Sequence, residues 1–347
     1  MKYKLLGKSG LRVSELCLGT MTFGKEWGDF GNNKEECKKI FDKFVERGGN
    51  FIDTANKYME GTSEKYVGEF VQKDRESFVI ATKYSLSMNP DDPNKSGNHR
   101  KNLVQSVNAS LKRLNIDYID LLWLHAWDYL TPVEEVVRAL DDLVRQGKIL
   151  YVGISDTPAW IVSQANTIAN LQGWTPFIGL QIEYSLIERS PERELLPMAK
   201  SMGMTVTPWG PLGGGVLTGK YLKNSSEIKR YSEEERAESS RFNEKSTEIA
   251  KTVQRIASEI NKSPAQIALN WIRQQQHRGN FIPILGARTE QQIKDNLGCL
   301  DFELSKEYLT ELEDISKIPL GFPLEFSKRN RFKQLIYGKH HDDIMRN

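Results

Sequence analysis

The feature that most constrains this chain is a repeated unit. A short apolar run is followed by a polar turn, then by a stretch whose apolar residues recur at helical spacing. Such runs end near residues 18, 53, 82, 124, 154, 181, 207 and 284, about eight in all. Each is followed by a helix-type pattern, as in Val133, Val136, Val137, Leu140 and Val144 after the run that ends at 124. Strict β–α alternation with short connections demands parallel pairing, and about eight such units predict a closed barrel. The rival is an open, doubly wound sheet, which usually carries Gly-x-Gly-x-x-Gly after its first strand. Here that strand ends Leu18-Gly-Thr-Met-Thr-Phe-Gly24, without the spacing, and the barrel is the preferred reading.

The expected architecture is therefore α/β, a single (β/α)8 TIM barrel over residues 1–347. An N-terminal β-hairpin spans 2–19, turning at Gly7-Lys-Ser-Gly10, and its second arm either completes the hairpin or runs into the first core strand. A long charged loop, 222–241, follows the seventh strand and either covers the barrel mouth or is a plain solvated insertion. The tail, 318–347, is read as a C-terminal extension over the barrel. With 48 basic and 46 acidic residues the net charge is +2, which points to neither nucleic acid nor a membrane as partner. Cys17, Cys37 and Cys299 have no metal-ligand spacing, no metal is expected, and an odd count suits a reducing compartment. The opening Met1-Lys-Tyr-Lys-Leu-Leu-Gly-Lys lacks the apolar core of a signal peptide, so the expected location is the cytoplasm.

Three consecutive units deliver an ionisable group at the C-terminal end of the strand: Asp53, Lys83 and His125. In a parallel barrel that rim is where catalytic residues lie. Alternation puts Lys83 on one face with Val79 and Ala81, and His125 on one face with Leu121 and Trp123. An inward lysine needs a counter-charge, and Asp53 is the obvious one. Tyr58 follows five residues after Asp53. An adjacent ammonium is expected to lower the pKa of its phenol, making it a proton donor or acceptor, while a neutral His125 orients a carbonyl. With no serine or cysteine nucleophile and no metal cluster, the set suits polarising a C=O while another group delivers hydride.

The second half offers a place for the hydride donor. Trp209 could lend an aromatic face to a planar ring. The glycines of Trp209-Gly-Pro-Leu-Gly-Gly-Gly let backbone N–H groups approach phosphate, with Lys220 for charge. In Gly286-Ala-Arg-Thr, Thr289 or its neighbour opens a helix, a natural anion site, and Arg288 could grip a 2′-phosphate, favouring NADP(H) over NAD(H).

Taken together, Gly19-Thr-Met, Asp53-Thr-Ala-Asn-Lys-Tyr58, Ala81-Thr-Lys83, Asp120-Leu-Leu-Trp-Leu-His125, Gly153-Ile-Ser, Gln181, Trp209-Gly-Pro-Leu and Gly286-Ala-Arg-Thr with Asn296 resemble the aldo-keto reductase superfamily over essentially the whole chain. His125-Ala-Trp-Asp, the Thr-Pro-Trp strand and the tail are similar to its aryl-alcohol-dehydrogenase-like and bacterial general-stress branches. The resemblance implies NADP(H)-dependent interconversion of aldehydes or ketones with alcohols. It implies Tyr58 as general acid, Lys83 and Asp53 as its tuning pair, and His125 orienting the carbonyl. Ser155 and Gln181 would hold the carboxamide, and Trp209 would stack on the ring. Arg288, Gln292 and Asn296 would meet the adenosine phosphate and adenine. Thr20, Met21, Asp53, Gly210, Pro211, Leu212, Gly214, Lys220 and Gly286 complete the implied cofactor contacts. One departure stands out: many members have Ser-Asn where this chain has Ser155-Asp156, which leaves the second carboxamide contact open.

The superfamily also contains channel β-subunits that hold NADP(H) and act chiefly as partners, so a binding role is the alternative. Substrate contacts are expected on loops 25–32, 84–98, 127–131 and 222–241, where Trp27, Tyr84, Trp127 and Phe322 could form an aromatic pocket or simply pack. Physiological substrate, preferred direction and oligomeric state are not readable from the residues.

Overall fold

The computed structural model describes residues 1–222, 232, 234 and 238–344. Strands β3 (Cys17–Gly19), β4 (Phe51–Asp53), β5 (Val79–Tyr84), β6 (Ile119–Leu124), β7 (Ile149–Ser155), β8 (Gly179–Glu183) and β9 (Thr205–Trp209) are parallel neighbours in chain order. One further segment closes the sheet from both sides. Its first part, β10 (Asn280–Phe281), pairs with β9, and its second, β11 (Ile284–Leu285), pairs with β3. The switch falls at Ile282-Pro283. The Ile282 amide still donates to Val206 O at 2.9 Å, while Pro283, which has no N–H, accepts from Cys17 N at 3.0 Å. The fold is a (β/α)8 barrel, as the alternation predicts.

Helices α1 (Lys34–Glu46), α2 (Thr62–Val71), α3 (Arg100–Leu114), α4 (Val133–Arg145), α5 (Ala159–Gln172) and α6 (Leu195–Met202) follow β3 to β8 in turn. Helices α7 (Glu244–Glu259) and α8 (Pro264–Arg273) lie between β9 and β10, with α9 (Glu290–Leu297) and α10 (Lys306–Ser316) after β11. Asn33, Asn243, Ser263, Thr289 and Ser305 cap helix starts by accepting from an amide in the first turn.

The N-terminal mouth is plugged by the hairpin. Strands β1 (Tyr3–Leu5) and β2 (Arg12–Ser14) pair antiparallel, and the chain then kinks at Glu15-Leu16 before β3 begins. The hairpin arm and the first core strand are thus separate pieces. Leu6 and Val13 are fully buried in one cluster with Phe51, Val79 and Leu121, and the Gly7 amide donates to Thr205 Oγ1 at 2.7 Å.

Higher in the barrel the interior is filled by the Trp123 indole. A Cβ at Gly153 would stand 2.2 Å from Trp123 Cε3, and one at Gly179 2.8 Å from Cη2, so both glycines make room for that ring. Gly153→Ala is therefore expected to destabilise the fold by about 1–3 kcal/mol through overpacking. Adding Trp123→Leu should restore part of the loss in urea denaturation. Additive losses would show that the contact is not what Gly153 serves.

Of the loop 222–241, residues 223–231, 233 and 235–237 lie outside the described residues. In the tail, α11 (Leu324–Ser327) and α12 (Asn330–Tyr337) bury no side chain, and the Phe326 ring lies against those of Phe322 and Phe332.

Candidate active site

Asp53, Tyr58, Lys83 and His125 come together at the C-terminal mouth. Lys83 is fully buried and donates to three acceptors: the Asp53 carboxylate, Thr54 O at 2.9 Å and the Tyr58 hydroxyl at 3.0 Å. All three ammonium protons are used. Asp53 is held from its other oxygen by Gln181 Nε2 at 3.0 Å. His125 continues the ladder past β6 through its amide, 2.9 Å from Tyr84 O. Its ring stands edge-on to that of Tyr58, with centroids 6.0 Å apart.

Burial works against the charge on Lys83, but Asp53 and Tyr58 outweigh it and hold its pKa above the usual lysine value. Burial, helped by the nearby ammonium, pushes His125 down to about 3, so the imidazole is neutral. Tyr58 corrects an expectation. Desolvation raises its phenol above the usual value, and the downward pull of Lys83, opposed by Asp53 and Asp156, does not reverse that. The phenol is thus kept protonated, which suits a donor of protons.

The rim is also where the backbone is strained. Met59 and Glu60 have φ of 47° and 50°, Ser85 104° and Asp156 40°, all left-handed and none glycine. Each such residue costs on the order of 1–3 kcal/mol and persists only where its surroundings hold it. Glu60, two residues after Tyr58, is held by Trp27 Nε1 at 3.1 Å and Lys57 Nζ at 2.9 Å. Ser85 is tied to Ala126 in both directions. Beside it, Asn98 and Asp128 exchange backbone-to-side-chain bonds of 2.7 and 2.8 Å. The loops after β5 and β6 thus form one clamped unit around His125.

Of the four aromatic pocket candidates, Trp27 alone has its ring against Tyr58, with centroids 6.5 Å apart. Tyr84 is fully buried and donates to Asn98 O at 3.2 Å. Trp127 belongs to the layer between barrel and helices, and Phe322 packs on Phe326 in the tail.

The remaining sequence candidates ring the same mouth. Thr20 is buried and donates to Asp53 O at 3.0 Å, and Met21 follows it on the half-buried rim. Ser155 is 1 % exposed, yet its hydroxyl has no hydrogen-bond partner, as is also true of buried His125 Nδ1. An orphaned hydroxyl at the end of β7 is what a carboxamide would satisfy, and the residues present fit a nicotinamide there. The turn Gly210-Pro211-Leu212 leads into Gly213, Gly214 and Gly215, with φ of 57°, 66° and 96°, a conformation that glycine adopts without the cost other residues carry there. Lys220 lies near this turn, its Nζ 3.0 Å from where a Gly215 Cβ would stand.

At the far end, Asn296 Nδ2 donates to Gly286 O at 3.2 Å, and Gln292 accepts from the Arg288 amide at 2.8 Å. Thr289 caps α9, but two of the first-turn amides are already engaged. Gln292 N bonds Thr289 Oγ1 and Glu290 N bonds Glu36 Oε1. The Arg288 guanidinium, the charged group at this end, donates to Asp29 O at 2.6 Å. Loop 25–32 therefore reaches from Tyr58, through Trp27, to Arg288.

Two pairs escaped the sequence reading. Asp156 Oδ1 accepts from Trp209 Nε1 at 3.1 Å, tying the departure from Ser-Asn to the Trp209 indole. Arg241 bonds Glu183 at 2.6 and 2.8 Å beside Gly210. Nothing but the position of Asp156 directly after Ser155 could have flagged the first. Among the described residues no cluster of His, Cys, Asp and Glu could hold a metal ion, and no helix is long and apolar enough to cross a membrane.

Residues 15–317 match the model of the aldo/keto reductase family. The chain belongs to that family. It is 40 % identical to norsolorinic acid reductase of Aspergillus flavus over 93 % of this chain and 82 % of that one. It is 37 % identical to aryl-alcohol dehydrogenase [NADP(+)] of Phanerodontia chrysosporium over 90 % and 85 %. With a putative aryl-alcohol dehydrogenase of Saccharomyces cerevisiae it shares 38 % over 93 % and 88 %. An aldo/keto reductase with relatives so named is an oxidoreductase, acting on small-molecule carbonyl compounds.

Proposed function

We propose that this aldo/keto reductase reduces aldehydes and ketones to alcohols with NADP(H), and that aromatic carbonyl compounds are its preferred substrates. The observation that carries the reading is Lys83, bonded at once to Asp53 and Tyr58, with a neutral His125 beside the phenol. When bound, the nicotinamide supplies the hydride. Tyr58 gives its proton to the carbonyl oxygen as that oxygen becomes an alkoxide. The phenolate left behind is stabilised by the ammonium of Lys83, which Asp53 keeps charged and fixed. His125 offers an imidazole N–H to the same oxygen. Because its folded pKa lies near 3, it stays neutral throughout the working pH range.

Ser155 and Gln181 are assigned to the carboxamide and Trp209 to the ring face. Gly210, Pro211, Leu212, Gly214 and Lys220 are assigned to the pyrophosphate, with Thr20, Met21 and Asp53 lining the mouth. Gly286, Arg288, Gln292 and Asn296 take the adenosine end. The preference for aromatic carbonyls rests on the Trp27 ring against Tyr58 and on the names of the relatives.

The test is a panel of aromatic and aliphatic aldehydes, aryl ketones and the matching alcohols, scored by NADPH absorbance. Turnover of aromatic carbonyls is expected, with NADPH preferred to NADH. Arg288→Ala should raise KM for NADPH by about 10-fold or more through loss of a charge-assisted phosphate contact, with KM for NADH little changed. Equal KM values for the two cofactors in the unmodified protein would count against the NADP(H) assignment. No turnover across the panel would count against the activity.

A further inference from the structure

We infer that Asp156 is a specificity-determining residue whose carboxylate, held at the edge of the Trp209 indole, makes the site prefer the oxidised nicotinamide to the reduced one. This rests on the nicotinamide site proposed above and goes beyond it, since that reading assigns Asp156 no role. The argument is one of charge. Oxidised nicotinamide is a cation and the reduced ring is neutral, so a fixed negative charge beside the ring distinguishes them.

Three carboxylates stand at this part of the rim. Asp53 is neutralised by Lys83 and Glu183 by Arg241. Asp156 has no ion-pair partner among the described residues, and its carboxylate accepts from an uncharged indole N–H instead. Its place is built. The backbone is left-handed at φ 40°, the amide donates to Gln181 O at 3.3 Å, and the neighbouring Ser155 hydroxyl is buried without a partner. A ring stacked on Trp209 therefore lies next to an unpaired negative charge. Its field already reaches the phenol of Tyr58, which it pushes upward. Desolvation by the surrounding rim raises the Asp156 carboxyl above the usual carboxylate value, opposed by the Trp209 bond and by Lys83, although the residue's own surface is exposed to solvent. The charge is therefore tested at pH 8, and screening limits the effect to about three- to tenfold in relative affinity.

Asp156→Asn isolates the charge. An amide oxygen still accepts from the indole, and asparagine tolerates the left-handed backbone. Dissociation constants for NADP+ and NADPH are to be measured by tryptophan fluorescence quenching at pH 8 and low ionic strength. Asp156→Ser is a second variant should the first fold poorly. The ratio Kd(NADP+)/Kd(NADPH) is expected to rise three- to tenfold in either variant, chiefly through weaker NADP+ binding. An unchanged ratio, whether both constants move together or neither moves, would overturn the inference and leave Asp156 as a mere anchor for Trp209. Failure of the unmodified protein to bind either form would instead overturn the cofactor reading, and this inference with it.

Discussion

Tyr58→Phe is expected to lower kcat for carbonyl reduction by about 10²–10⁴, the usual worth of a positioned general acid, while Kd for NADPH stays unchanged. The split follows from the geometry. The phenol hydroxyl is the neutral O–H donor that Lys83 bonds at 3.0 Å, and none of the residues assigned to the cofactor depends on it. Folding should suffer little. The lysine keeps Asp53 and Thr54 O, so about 1 kcal/mol is the expected cost of the lost bond. A pH profile adds a second check. Burial raises the phenol above its usual value of 10.0, so the proton is on Tyr58 throughout the neutral range. Reduction should be flat there and fall only as pH rises through that raised pKa. Oxidation of the alcohol needs the phenolate and should gain with pH. Reduction by Tyr58→Phe at close to the unmodified rate would sink the assignment of the general acid.

Much of this site was legible because period-2 alternation does not depend on distant neighbours. Given a parallel barrel, Asp53 and Lys83 had to end their strands pointing inward, and a buried lysine had to find a carboxylate. The start of α9 is legible for a similar reason, since the capping Thr289 acts within its own turn. What depended on residues far apart in the chain was not. The run Phe281–Leu285 reads as one continuous strand, yet it is broken at Pro283 because it serves two neighbours. Gly153 and Gly179 look like turn or motif glycines until Trp123 is seen filling the space beside them. The bond from Trp209 to Asp156 spans 53 residues. That burial holds the Tyr58 phenol above its usual value is not legible in the sequence, where Lys83 is visible as a partner and burial of the ring is not. For Tyr84 aromaticity leaves pocket and packing equally open, and alternation with the inward Lys83 turns it out towards the helices, where it is fully buried.

Lys83→Met is the variant with the largest expected effect on stability as well as on catalysis. Methionine fills much the same volume, so the change is mainly one of charge. Asp53, 2 % exposed, would keep the Gln181 amide and lose its cation. Breaking a buried ion pair from one side typically costs about 3–5 kcal/mol, because the remaining charge is left uncompensated. The sign with pH follows from the raised pKa of Lys83 in the folded protein. Its contribution is fully present below the ordinary lysine value of 10.5 and is lost only as pH rises through the folded value. Urea midpoints at pH 6 and pH 8 should therefore both register the loss. Adding Asp53→Asn removes the orphaned charge, and the double variant is expected to recover a large part of that stability while remaining inactive. This separation decides between two accounts of the pair. If Lys83 merely held the barrel mouth together, the restored double variant would regain turnover. If it stabilises the phenolate of Tyr58, as proposed, stability returns and catalysis does not.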